Sequence, residues 1–352
     1  MKMKTKTIIA TLLLCLTCGV AVAYDISVTA DGNTLCFNIK DKAERKAAVT
    51  YAGSVREGRK PSLKGKVTIP SKVRHNNVVY SITSIEPKAF AGETQLTEIV
   101  IPDGVDSIRD FAFEGCDSLK KVTFPANQVS FGEGVFFRCP RLADLNLGSD
   151  WTELNLAQFR WSEALDSIAI PAKIATIKDI ALLRNLRKIE VSKDNGKFSS
   201  HDGMLYDKSD KTFLKCPRGY EGKVTVAEGT ESIADGALID CASVTALDLP
   251  GSLKSMSFRE TSRMPALDSI VLRASEPILN AYAGEKGYFL LMLRNPSATV
   301  ISVPAASLKA YRSALATAPG EYAATPGSLP YVVSSDALPL TKNFKKIKTN
   351  KQ

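Results

Sequence analysis

The sequence predicts an α/β repeat solenoid with a period of about 23 residues. Three observations carry this. First, apolar residues recur in register from Ile85 to Leu147: Ala89-Phe90, Ala112-Phe113 and Val135-Phe136; Leu96, Leu119 and Leu142; Ile99, Val122 and Leu145; Ile101, Phe124 and Leu147. Second, the chain before this stretch departs from the period and alternates like short strands. Third, the period is interrupted at 195–222 by a hairpin pattern and then resumes.

The first element is a leader. Lys2, Lys4 and Lys6 precede an uncharged, mainly apolar stretch that closes on Ala21-Val22-Ala23. This reads as a secretory signal peptide over 1–23, cleaved after Ala23, since the stretch is short for a membrane span. Leu14 and Thr17 before Cys15 and Cys18 are poor matches to a lipid-attachment site. The expected location is therefore outside the cytoplasm: cell surface, periplasmic or secreted.

Residues 24–80 read as an N-terminal β-rich cap. Ile26-x-Val28, Leu35-x-Phe37-x-Ile39, Val49-x-Tyr51 and Val67-x-Ile69 alternate as short antiparallel strands, and Asp31-Gly32-Asn33 and His75-Asn76-Asn77 read as hairpin turns. A cap of this kind covers the apolar rows at the open end of a repeat stack.

Residues 81–318 are the repeat array. In one coil Ile99 and Ile101 share a strand face, Pro102 ends the strand, Asp103-Gly104 turns, and Ala112-Phe113 with Cys116 have the spacing of one helical turn. One coil buries too little to fold alone, so stability must come from its neighbours. The register slips at Gly148 to Trp161, where the two tryptophans read as core filling in preference to a surface patch. The insertion 195–222 carries a hairpin around Lys208-Ser209-Asp210-Lys211. A helix is expected at 287–294 and a closing coil at 300–318. The segment 319–352 is rich in Gly, Pro and Ala, ends in lysines, and is expected to be flexible.

Composition excludes several functions. The chain has 46 basic and 37 acidic residues, but the leader and the tail hold the excess, and residues 24–336 carry a net charge of +1. That balance requires no nucleic-acid stripe. The tail reads as a solvated end, or as a contact for an anionic surface. Five cysteines follow the leader, an odd number, and Cys116, Cys139 and Cys241 share one repeat position as small buried hydrophobes; a Cys116–Cys139 bridge stays open. The only histidines, His75 and His201, fall in loops, and no zinc spacing, nucleophile elbow or phosphate loop is present. No cofactor, metal site or catalytic constellation is expected.

The unit Ala112-Phe113-Glu114-Gly115-Cys116-Asp117-Ser118-Leu119-Lys120-Lys121-Val122-Thr123-Phe124-Pro125 resembles the BspA-type leucine-rich repeat of bacterial and protozoan surface proteins. The hairpin from Asp202 to Pro217 and the Val303-Pro304 to Tyr311 segment are similar to family features, and the likeness covers roughly 65–315. It implies an exported, non-catalytic bacterial protein that binds other proteins at the cell surface, with a host matrix or envelope protein as partner; a glycan is the partner that a neutral outward row of strand residues would also fit. A scaffold subunit of an envelope complex and a hydrolase are the alternatives. The family motif is its core, so the binding candidates come from strand alternation instead. They are the outward positions Glu98, Val100, Lys121, Thr123, Asp144, Asn146, Ser167, Lys188 and Glu190, continued by Ala169, Ala246, Asp248, Ser269 and Val271. Mixed signs along this row argue against a polyanion site.

Overall fold

The computed structural model describes residues 24–51, 62–209, 211–256, 263–280, 300–311 and 344–346. The leader 1–23, the expected helix at 287–294 and most of 319–352 lie outside them. The chain divides into two compact units between Leu183 and Arg184.

The first unit opens with three antiparallel strands, Ile26–Ala30, Asn33–Asp41 and Lys46–Thr50. Asp31 and Gly32 join the first two with φ of 51° and 75°, the left-handed pair a tight hairpin needs. The sheet then changes sense. Val78–Ile85 runs parallel to Lys46–Thr50, and Ser107–Ile108 and Ser130–Phe131 follow in parallel, one per coil. A second sheet stacks Gly65–Thr68, Leu96–Val100, Lys121–Thr123 and Asp144–Asn146, all parallel. The strand around Val67 is therefore not part of an antiparallel cap. Val67 pairs with Ile99, so it begins the inward column Val67, Ile99, Val122, Leu145.

Between the two sheets each coil turns through the Ala-Phe segment, and here the helical expectation fails. The coil holds two left-handed residues four apart: Lys88 and Gly92, Phe111 and Gly115, Gly134 and Arg138. A right-handed helix cannot pass through them. Amide groups that a helix would pair internally reach the next coil instead. Phe90 N–H donates to Ala112 O at 2.7 Å and Gly92 N–H to Glu114 O at 2.7 Å; Phe113 and Gly115 repeat this toward Val135 and Phe137 at 2.9 Å each. Helix in the described residues is limited to the 3-10 turns Leu156–Phe159, Ile180–Leu182 and Ala305–Ser307 and an α-helical turn from Leu308. Each unit is thus a β-solenoid with a repeat of about 23 residues rather than an alternation of strand and helix.

The core follows the repeat. Phe90, Phe113, Phe136 and Phe159 stack with centroids 4.8, 5.2 and 5.3 Å apart. Trp151 is fully buried beside Phe124 and donates its indole N–H to Asn127 O at 2.7 Å. Trp161 departs from the core-filling expectation: it is 45% exposed, edge-on to Phe137 and under the Arg160 guanidinium. At the cysteine position of the first coil stands Glu93, fully buried, whose carboxylate accepts the Ser62 and Leu63 amides at 2.8 and 2.9 Å.

The second unit repeats the plan of the first. Phe198–His201, Met204–Asp207 and Thr212–Lys215 are antiparallel, and Asp202-Gly203 turns with φ of 49° and 78°. Ser232–Ile233, Ser255–Met256 and Leu279–Asn280 then add in parallel. The other sheet stacks Gly222–Thr225, Val244–Leu249, Ser269–Leu272 and Val300–Pro304. Gly222-Lys223-Val224-Thr225 has the sequence of Gly65-Lys66-Val67-Thr68, the same irregularity after its glycine, and a positive φ at that glycine. The expected insertion is therefore the opening sheet of a second stack. Phe344–Lys346, in the segment expected to lack order, pairs antiparallel with Val300–Pro304.

Candidate functional site

Six of the candidate residues come together on the first unit's parallel sheet. The register aligns Lys66, Glu98, Lys121 and Asp144 in one row and Thr68, Val100, Thr123 and Asn146 in the next. The first row alternates in sign and is paired across strands: Lys66 lies 3.5 Å from Glu98, and Lys121 bonds Asp144. The bond to Asp144, with the field of that carboxylate, raises the Lys121 pKa. These side chains are roughly half exposed, so each pair is worth little on its own. Their effect is to cancel charge over a flat surface whose second row is small and uncharged. Parallel strands fix the spacing, since Leu96–Val100 and Lys121–Thr123 are bonded on both sides and Gly65–Thr68 and Asp144–Asn146 on one. Lys66 and Thr68 were missed from the sequence because a side hairpin, Lys72–His75 with the start of Val78–Ile85, separates them from Glu98 and Val100 by more than one period.

The remaining candidates lie elsewhere. Ser167 and Ala169 are exposed on Ser167–Ile170. Lys188 and Glu190 belong to the second unit, on Lys188–Val191, and bond each other. In the longer row two residues are not surface groups. Asp248 is 3% exposed, and Val271 is 7% exposed. Asp248 is closed over by Lys223 at 2.7 Å and by one edge of Arg273, whose Nε–H and Nη2–H donate at 2.6 and 2.8 Å. Burial opposes its ionisation, but the bonds from Arg273 and Lys223 outweigh it and hold its pKa below the usual carboxylate value.

Lys188 and Glu190 border a depression of about 430 Å³ that also takes Arg187, Ser200, Asp202 and Tyr220. Its far wall is the Asp202-Gly203 turn, held by Ile189 N–H donating to Gly203 O at 2.8 Å and Val191 N–H donating to Ser200 Oγ at 2.9 Å. A side chain at Gly203 would meet Lys188 Cγ at 3.1 Å, and its φ is positive, so the turn sits this close only as glycine. The sequence pointed to the strand and to the hairpin separately; their contact is a tertiary fact.

The five cysteines among the described residues are buried and form no disulfide. Cys116 and Cys139 donate to Phe90 O and Phe113 O at 3.2 and 3.1 Å. Contact with Cys139 and burial both push the Cys116 pKa up. His75 lies beside Asn76, and His201 is 3.5 Å from Asp202. Among the described residues no group of three His, Cys, Asp or Glu is placed to hold a metal, and no helix is long and apolar enough to cross a membrane.

Residues 83–201 match the profile of the BspA type leucine rich repeat region in six copies. No curated protein matches the sequence. Among solved structures, a leucine rich cell surface protein from Faecalibacterium prausnitzii is 22% identical over 71% of this chain and 77% of its own, with a TM-score of 0.38. A leucine-rich repeat protein from Bacteroides ovatus is 20% identical over 70% of this chain and 58% of its own, with a TM-score of 0.46. The pneumococcal vaccine antigen PcpA is 16% identical over 83% of this chain and 96% of its own, with a TM-score of 0.40.

Proposed function

From a chain that carries BspA-type leucine-rich repeats over residues 83–201, we propose a non-catalytic, exported protein-binding module that docks a partner protein on the parallel sheet of its first unit. The observation that supports this reading is the cross-strand pairing of Lys66 with Glu98 and Lys121 with Asp144. Charged side chains that satisfy each other across coils leave a flat, neutral face flanked by Thr68, Val100, Thr123 and Asn146. Such a face can lose its water against another protein without stranding a charge. Residues on bonded strands also lose little freedom on binding, which lowers the cost of association. The basic leader supports export, and the repeat family supports a place at the cell surface.

The test is binding of residues 24–352 to purified extracellular-matrix proteins and to envelope extract. Thr123→Arg with Asn146→Arg sets two long charged side chains on the neutral row. Affinity for the partner should fall at least tenfold while the melting temperature stays unchanged. Undiminished binding by this variant sinks the face as the docking surface. Hydrolysis of any substrate in a panel assay, lost in His75→Ala or His201→Ala, sinks the non-catalytic reading.

A further inference from the structure

The depression in the second unit has a chemistry that the protein-docking face lacks. We propose that it is a saccharide site, taking one neutral pyranose ring of a glycan between the Tyr220 side chain and the Asp202-Gly203 turn. Four features carry the assignment. Its volume, about 430 Å³, lies in the range of small-ligand sites. Tyr220 supplies an aromatic wall. Its hydroxyl is anchored to Lys223 O at 3.1 Å, and the ring is partly exposed. The apolar C–H face of a sugar packs on such a ring, and a tethered ring loses little entropy in receiving it.

The polar lining is mixed in the way a polyol requires. Glu190 and Asp202 only accept hydrogen bonds; Arg187 and Lys188 only donate. Ser200 Oγ already accepts from Val191 N–H, so its own hydrogen is free to donate inward. Vicinal sugar hydroxyls donate and accept at once, and so can satisfy both kinds of group. Two acids against two bases give no net charge, which fits a neutral ring and disfavours a polyanion. The present ion pairs, Arg187 with Glu221 at 2.8 Å and Lys188 with Glu190, are more than half exposed and are cheaply exchanged for ligand bonds.

Gly203 ties the site to the fold. Its positive φ and its approach to Lys188 bring Asp202 and Ser200 over the strand. The site belongs to the second unit alone and does not depend on the protein-docking face.

The experiment is saturation-transfer difference NMR on residues 24–352 with methyl α-mannopyranoside, methyl β-galactopyranoside and N-acetylglucosamine, with glycine and glutamate as zwitterion controls. Transfer to the C–H protons of at least one pyranoside is expected. It should fall at least fivefold in Tyr220→Ala and Asp202→Asn and persist in Tyr220→Phe, which keeps the ring. Circular dichroism checks the fold, and Glu190→Gln replaces any variant that fails it. Absence of transfer from every pyranoside, transfer unchanged in Tyr220→Ala or Glu190→Gln, or transfer to the amino acids alone overturns the assignment. Loss of matrix-protein binding in Thr123→Arg with Asn146→Arg, with saccharide transfer intact, separates the two readings.

Discussion

Phe113 lies over Phe90 with ring centroids 4.8 Å apart and planes 1° from parallel. That separation is the spacing of adjacent strands, so the rings stack because their backbones do. Phe113 also stacks on Phe136 at 5.2 Å and is fully buried. Phe113→Ala removes contacts on both sides and should cost about 3–5 kcal/mol. Phe113→Leu keeps most of the volume and should cost clearly less. Thermal unfolding of both variants checks the order; equal losses would argue against a continuous column.

Gly148 stands where the period loses its proline. A side chain there would meet Pro125 O at 2.2 Å and Trp151 Nε1 at 2.3 Å. The first is backbone and cannot step aside. Gly148→Ala should displace Trp151, break its bond to Asn127 O and destabilise by about 2–4 kcal/mol. In a Trp161→Phe background the only indole left is Trp151, and its fluorescence should shift to the red. An unshifted emission with unchanged stability would contradict this packing.

Much of the fold was legible because inward positions carry the period in their identity. Phe90, Phe113 and Phe136, or Ile99, Val122 and Leu145, can be read off at a stride of 23. The turn was misread for a physical reason. Ala112, Phe113 and Cys116 have helical spacing, but helix is forbidden by left-handed residues beside them, and several of these, Lys88, Phe111 and Arg138, are not glycine. Trp161 went astray because its coil keeps register: Phe159 stacks on Phe136, which sets Trp161 at the repeat position of Gly115 and the exposed Arg138. Asp248 alternates outward in sequence, yet Lys223 and Arg273 from neighbouring coils cover it. The row from Glu98 through Lys121 to Asp144 was readable, whereas the Tyr220 depression was not, since it needs a hairpin laid on a strand.

The thiols offer a direct test of burial. Cys116 and Cys139 donate to carbonyls of the preceding coil, and Cys216 and Cys241 lie together in the second unit with the Cys216 pKa pushed up by contact with Cys241 and by burial. Residues 24–352 should therefore resist thiol reagents at pH 8 in the folded state. In denaturant five thiols should react at once. Fewer than five would mean a bridge has formed.

Glu231 accepts from Lys211 at 2.8 Å and also bonds Lys254. The two lysines pull its pKa down to about 2. Carbon-detected titration should place its midpoint near that value, well below the ordinary glutamate value. Added salt should raise it, because a surface pair is screened. A midpoint above 4 would deny the double bridge.

The Asp248 triad joins a buried carboxylate to two cations in the second unit. Its carboxylate is buried, and Arg273 meets it with two N–H groups while Lys223 approaches from the other side. Bidentate geometry adds direction as well as energy. The folded pKa lies below the unfolded one, so the stabilisation is fully present above the unfolded value of about 3.9 and is lost as pH falls through the folded value. Asp248→Asn keeps the shape and removes the charge, and at pH 7 it should cost about 1–3 kcal/mol. The gap between wild type and variant should then narrow steadily as the pH is lowered below 4. Arg273→Lys should lose part of the same stability, because an ammonium cannot reproduce the fork. Denaturant unfolding across pH 2.5–7 reads both effects; a gap that widens in acid would mean that the carboxylate is held against its charge rather than by it.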